Sequence, residues 1–283
     1  MSEVALSAGT IHYEKSGPAT GRPIVFIHGY AMGSSLWGPV SERLAADGFA
    51  CYAPTWPLGA HAEPLGNPAE ATMAGVAALV SEFLEVLELQ DVVLVGNDTG
   101  GALAQIVATT YPERLGALVL TSCDAFEHFP PGGAFKLIIA AARSAATFHA
   151  LLRMLSTESS RRRGFGALAH TDIDDLVVEW LKPGLTDARI REDLRHFTRS
   201  MQPELLLDAA ARLPQFAKPA LIAWSADDAF FAVEDGHRLA AALPDARFEL
   251  IERARTFSMI DQPDTLAERI ADFAWTAAIG RAA

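Results

Sequence analysis

The sequence predicts an α/β protein, a mostly parallel sheet with helices on both faces and one helical insertion between core strands. Three observations carry that prediction. Short β-branched runs ending at glycine or small polar residues recur along the chain, helical patterns fall between them, and the alternation lapses once, between about Phe126 and Phe216. With 283 residues, 50% hydrophobic and 20% charged, the chain has material for such a domain and is excluded from the disordered and fibrous classes.

Ile24 to Ile27 is apolar throughout, as a strand covered on both faces must be, and Ala69 to Leu87 carries a helical pattern. Val92 to Val95 is the next strand; it runs through Gly96-Asn97-Asp98-Thr99-Gly100 into a helix from Gly101 to Thr110. Leu118 to Leu120 follows as a third strand. The stretch from 126 to 216 is helix-like, rich in Arg and Asp, and broken at Pro130-Pro131, Pro183-Gly184 and Pro203, so it reads as a helical insertion. Within it, the triple Arg161 to Arg163 reads as a solvated helix face. Pro214 and Pro219 mark the return to sheet. Ala220 to Trp224 is a strand ending in Ser225-Ala226-Asp227-Asp228, Val233 to Leu243 a helix, Arg247 to Ile251 a weakly alternating strand, and Asp264 to Ile279 a closing helix.

A formal net charge of −12 and a pI near 5.1 leave no basic surplus for phosphates or anionic headgroups, so neither nucleic acid nor membrane is expected as a partner. The start lacks a basic region followed by an apolar run, and no later run is long enough to span a bilayer. Cys51 and Cys123 read as buried thiols of a reducing compartment, and a cytoplasmic protein is expected. With no glycine-rich phosphate cradle and no Cys/His cluster at metal spacing, no cofactor or metal is expected.

The segment that carries chemistry is G-x-D-x-G at 96 to 100. A strand turning sharply into a helix forces its central residue to positive φ and pushes that side chain out over the sheet. The helix N-terminus behind it supplies amide N–H groups and a positive dipole end, both suited to an anionic nucleophile or a developing oxyanion. A dinucleotide site would require G-x-G-x-x-G, which is not matched. A structural turn with Asp98 as a helix N-cap is the competing reading.

Further motifs stand around this one in a particular order: His28-Gly29-Tyr30 after the first strand with Ser35 and Trp37 following, Trp224 to Asp228 as an acid loop, and Asp261-Gln262-Pro263. With them the chain resembles the α/β-hydrolase fold family from end to end. The resemblance implies a mostly parallel sheet of about eight strands. It implies a core at 1–125 and 217–283, and a helical cap at 126–216 that roofs the pocket and selects substrate. Asp98 falls at the nucleophile position, as in the haloalkane dehalogenase and epoxide hydrolase branch. The backbone N–H groups of Tyr30 and Thr99 would form the oxyanion hole, and Asp228 would be the orienting carboxylate, with Asp227 and Asp124 as rivals. His28 reads as turn-stabilising. Trp37, Trp180, Phe230, Arg255 and Thr256 are the residues expected at a substrate.

The chain departs from the family at one decisive place. Counting back from Asp261-Gln262-Pro263, the catalytic histidine should fall at Thr256, and threonine cannot be the base that activates water. Arg255 beside it would hold Asp98 ionised if its guanidinium reached the carboxylate. The donors that hold halide in haloalkane dehalogenases are replaced by Thr99 and Tyr30, and all four tyrosines, Tyr13, Tyr30, Tyr52 and Tyr111, lie outside the cap. The activity expected is that of an enzyme using Asp98 on a small, mostly apolar ester, lactone, epoxide or halogenated compound. A lyase, isomerase or cyclase using Asp98 as acid or base, and a ligand-binding protein with a decayed site, are the alternatives.

Overall fold

The computed structural model describes residues 1–133 and 135–279. One eight-stranded sheet runs through it: β1 (Ser2–Leu6), β2 (Gly9–Ser16), β3 (Pro23–Ile27), β4 (Ala50–Pro54), β5 (Val92–Asp98), β6 (Leu115–Cys123), β7 (Ala220–Ser225) and β8 (Ala246–Ile251), in the spatial order β1-β2-β4-β3-β5-β6-β7-β8. β2 pairs antiparallel with β1 and β4, and every other pairing is parallel.

The period of two in β3 divides the core. Val25 and Ile27 enter a cluster with Trp56, Phe83 and Leu103 on one face, while Ile24 and Phe26 join Trp37, Leu36 and Ile270 on the other. Full burial of each such side chain is worth roughly 1.5–3 kcal/mol, which explains why these strands show no polar alternation. The helices α1 (Gly38–Ala46), α2 (Met73–Val86) and α3 (Thr99–Thr110) fill the connections in the first half. Thr72 begins α2 by accepting the Gly75 N–H at 2.9 Å, so the helix starts later than Ala69; Pro68–Glu70 is a separate 3-10 turn capped by Asn67.

Between β6 and β7 stand α4 (Phe135–Ala141), α5 (Ala145–Leu155), α6 (Glu158–Gly164), α7 (Asp174–Thr186), α8 (Ala188–Ser200) and α9 (Pro203–Arg212). This inserted segment is tied to the sheet domain by buried polar contacts. The Asp193 Oδ2 of α8 accepts from His61 Nε2 at 3.1 Å and from the Leu65 N–H at 2.9 Å, and the Trp180 indole of α7 donates to Ser35 Oγ at 2.8 Å. α10 (Val233–Ala242), α11 (Ser258–Asp261) and α12 (Pro263–Ile279) complete the second half. Among the described residues no helix is long and apolar enough to cross a membrane.

Candidate active site

β5 enters α3 with no intervening loop, and Asp98 takes φ 54° and ψ −133° at the junction, the positive φ anticipated for the turn. Close approach explains the glycines around it. A Cβ at Gly96 would lie 2.5 Å from the Gly100 carbonyl oxygen, and one at Gly100 would lie 2.3 Å from that of Ile27. Helix, elbow strand and β3 therefore touch backbone to backbone.

The Asp98 Oδ1 accepts the Tyr30 N–H at 3.1 Å and the Thr99 N–H at 2.6 Å. The two amides assigned to an oxyanion hole thus hold one oxygen of the elbow carboxylate itself. Asp98 is also the N-cap of α3, so the competing structural reading and the functional one describe the same contact; both amide bonds fall on Oδ1 and leave Oδ2 clear of them. Asp98 and Tyr30 are each partly exposed, so solvent reaches the elbow. Burial raises the Asp98 carboxyl above its ordinary range against the pull of the Thr99 and Tyr30 amides and the Thr99 side chain, and the nearby Asp228 charge raises it further.

Tyr30 also links the elbow to the inserted helices. Its hydroxyl lies 2.7 Å from Thr198 Oγ1 of α8, and its ring meets Phe135 edge-on at 5.2 Å.

Two further carboxylates surround the elbow. Asp228 Oδ1 accepts the Phe230 N–H at 2.8 Å, the Phe231 N–H at 3.0 Å and the Thr256 hydroxyl at 3.0 Å, while its Oδ2 is buried with no hydrogen-bond partner among the described residues. Asp124, 2% exposed, accepts the Thr99 hydroxyl on Oδ2 at 3.0 Å, and its Oδ1 is buried without a partner among the described residues. Burial raises both carboxyls, Asp124 well above the usual range with the Asp98 charge adding to the effect.

Thr256, fully buried at the place counted back for a histidine, gives its hydroxyl to Asp228 and its carbonyl to Asn97 Nδ2 at 2.9 Å. Asn97 also donates to the carbonyls of Thr121 and Ser122, so it laces β5 to β6 and to the Thr256 loop. Sequence reasoning passed over it; the signal was a lone amide side chain directly after an apolar run, and the structure buries it fully. Ser122, also missed, accepts the Ser225 N–H at 3.1 Å and helps to hold the Asp228 charge.

Several expectations are corrected. The Arg255 guanidinium does not pair with Asp98; it donates to the carbonyls of Gly166 and Ala169 at 3.3 Å each, because its backbone N–H is fixed by Asp261 with the chain facing the inserted segment. With Arg161, Arg162 and His170 it lines a depression of about 280 Å³ that lies beside the inserted helices rather than over Asp98. Trp37 is not open to a substrate: it is fully buried and stacks on Phe26 at 4.8 Å. Trp180, 1% exposed, is consumed by packing against Phe257 and its bond to Ser35. Phe230 is 53% exposed to solvent. The rival acid Asp227 points outward to His170 Nε2 at 2.9 Å.

No histidine stands in at the elbow among these contacts. His28 is fully buried, donating from Nδ1 to the Gly29 carbonyl at 3.0 Å and accepting the Trp56 N–H on Nε2 at 2.9 Å, and burial lowers it to about 4. His128 pairs with Asp235 at 2.6 Å and His196 with Glu192 at 3.2 Å. Glu3, His12 and Glu63 bring ligand atoms within 4.8 Å of one another at the surface, but the two His12 nitrogens face different carboxylates, so they form a polar network.

Residues 24–269 match the model of the alpha/beta hydrolase family. A 2-hydroxy-6-oxononadienedioate/2-hydroxy-6-oxononatrienedioate hydrolase of Paraburkholderia phymatum is 26% identical over 95% of this chain and 93% of its own. Among solved structures, haloalkane dehalogenase DbeA from Bradyrhizobium elkani superposes with a TM-score of 0.80 at 16% identity, covering 98% of this chain and 97% of that one. A thermophilic esterase from Thermogutta terrifontis does so at 0.74 and 21%, covering 98% and 99%. At these identities the two structures share the fold.

Proposed function

The chain belongs to the alpha/beta hydrolase family, and from that membership we propose that it is a hydrolase-like enzyme whose Asp98 attacks an electrophilic carbon of a small, mostly apolar molecule. The observation that carries this reading is the seat of Asp98 Oδ1 between the Tyr30 and Thr99 amides. An ester or lactone substrate would need those amides for its own carbonyl oxygen, and Asp98 already takes both. An alkyl carbon bearing a halogen, or an epoxide carbon, needs neither amide. When Oδ2 bonds to such a carbon, Oδ1 becomes the ester carbonyl oxygen, already polarised by two donors. When water then adds to the Asp98 carboxyl carbon, the negative charge develops on Oδ1 where those donors point; one such donor is commonly worth 10²- to 10³-fold in rate. In this reading the helices between 126 and 216 act as the cap, with Tyr30 joining them to the elbow through Thr198 and Phe135.

Intact-mass measurement after incubation with a panel of alkyl halides and epoxides tests it. A mass gain equal to the transferred group and mapped to Asp98 is expected, and an unmodified protein with no turnover of any panel member would overturn the proposal. One observation favours a second reading: burial and the Asp228 charge move the Asp98 carboxyl upward, toward the range of a general acid or base. That reading predicts a product free of solvent oxygen-18, with turnover abolished in Asp98→Asn.

A further inference from the structure

A carboxylate nucleophile that becomes an ester needs a base for the water that releases it, and Thr256 cannot serve. We propose that Asp124, acting through the Thr99 hydroxyl, accepts that proton in place of the absent histidine; the inference rests on the Asp98 attack proposed above. Three features of the geometry single Asp124 out. Its Oδ2 lies 3.0 Å from Thr99 Oγ1, on the residue whose backbone N–H holds Asp98 Oδ1 at 2.6 Å. The Thr99 hydroxyl is also among the groups that act on the Asp98 charge, and having one proton it can donate to Asp98 only while it accepts from a protonated Asp124, the exchange a relay requires. Finally, among the described residues the Asp124 carboxylate makes no hydrogen bond beyond this contact, its Oδ1 being buried without a partner. Asp228 differs: its Oδ1 is committed to the Phe230 and Phe231 amides and to Thr256.

The charges make the arrangement self-timing. The groups acting on Asp124 are burial, the Asp98 carboxylate and the Thr99 hydroxyl, while Asp228 acts on Asp98 in turn; Cys123, beside Asp124, is itself a buried thiol raised above its usual range. While Asp98 is ionised, its charge helps to keep a proton on Asp124. Alkylation neutralises Asp98, removes that repulsion, and frees Asp124 to ionise when a base is required.

The steps balance. In the first, Asp98 Oδ2 bonds to the substrate carbon, the carbon–leaving-group bond breaks with its electron pair, and the proton of Asp124 departs with the leaving group. In the second, water adds to the Asp98 carboxyl carbon, its proton passes to Thr99 Oγ1 as the threonine proton passes to Asp124 Oδ2, and the tetrahedral adduct expels the alcohol. Asp98 is then ionised and Asp124 protonated, as at the start.

Single-turnover mass spectrometry on the full chain separates the two steps. With an alkyl halide that labels Asp98 in the wild type, whose halide departs as an anion and needs no proton for the carbon–halogen bond to break, Asp124→Asn and Thr99→Val should lose the adduct, once formed, more slowly than the wild type by about 100-fold or more, with Thr99→Ser restoring breakdown. An adduct cleared by Asp124→Asn as fast as by the wild type would overturn the relay and leave the Asp98 reading intact; no adduct in the wild type would overturn that reading itself. A readout independent of turnover is the infrared carboxylic-acid C=O stretch at neutral pH. It should be present in the wild type and missing from Asp124→Asn. The same band in both would refute a proton resident on Asp124.

Discussion

Gly29→Ala puts the seat of the Asp98 carboxylate under direct strain. A Cβ at Gly29 would lie 2.3 Å from Asp98 Oδ1, 2.6 Å from Asp98 Cβ and 2.7 Å from Asp98 Cγ, and these are its three nearest atoms, so the methyl collides with the Asp98 side chain first. The carboxylate must swing away from the Tyr30 and Thr99 amides. Hydrogen bonds to a charged group are each worth about 1.5–3 kcal/mol, so losing both weakens the ionised form by about 3–6 kcal/mol. The Asp98 carboxyl should therefore rise further above its ordinary range. Carbon-13 carboxyl titration, with the Asp98 resonance assigned by its absence in Asp98→Asn, reads that shift without any substrate. Breakdown of the Asp98 ester, read by intact mass in single turnover, should slow by about 10²-fold or more, the scale of one lost oxyanion donor. A variant that titrates and clears its ester like the wild type would refute the argument that these amides organise the carboxylate.

Three more outcomes are expected. Thr256→His places an imidazole beside Asp228, whose Oδ1 now takes the threonine hydroxyl; ester breakdown should quicken by about 10²-fold in single-turnover experiments, at an overpacking cost of about 1–3 kcal/mol in denaturant unfolding because the position is fully buried. Asp193→Ala strips the acceptor from His61 Nε2 and the Leu65 N–H and should cost about 2–4 kcal/mol by chemical denaturation. The folded Asp124 carboxyl lies above its ordinary 3.8, so the folded state retains a proton that the unfolded state releases; stability falls as pH rises through that interval and is level above it. Asp124→Asn should remove that contribution, up to about 1.4 kcal/mol per pH unit within the window, so its unfolding free energy should decline less with pH than that of the wild type.

The runs that became β3, β5, β6 and β7 were legible because a strand covered on both faces leaves no polar residue to blur it; all five residues from Val92 to Gly96 are buried. β1 and β2 escaped notice because their hairpin lies at the sheet edge and is half exposed, and β4 because Ala50–Pro54 is short and carries an alanine, a cysteine and a proline. The start of α3 was placed two residues late because Thr99 and Gly100 read as part of the turn; Gly100 lies in the helix, where its close approach to the β3 backbone leaves no room for a Cβ.

By itself the sequence determined where the elbow stands and which residue it presents, because a strand, a glycine-flanked turn and a helix follow one another within a few residues and obey local steric rules. Tertiary structure decided what that residue touches. Tyr30 reaches Asp98 across 68 positions, Thr99 reaches Asp124 across 25, and Thr256 reaches Asp228 across 28. The bonding of Asp124 to Thr99, of Asp228 to Thr256 and of Asp227 to His170, and the turning of Arg255 toward the Gly166 and Ala169 carbonyls, arose from contacts between distant segments. Adjacent positions in the chain fix a side chain's starting point, and only packing against remote backbone fixes the partner at its other end.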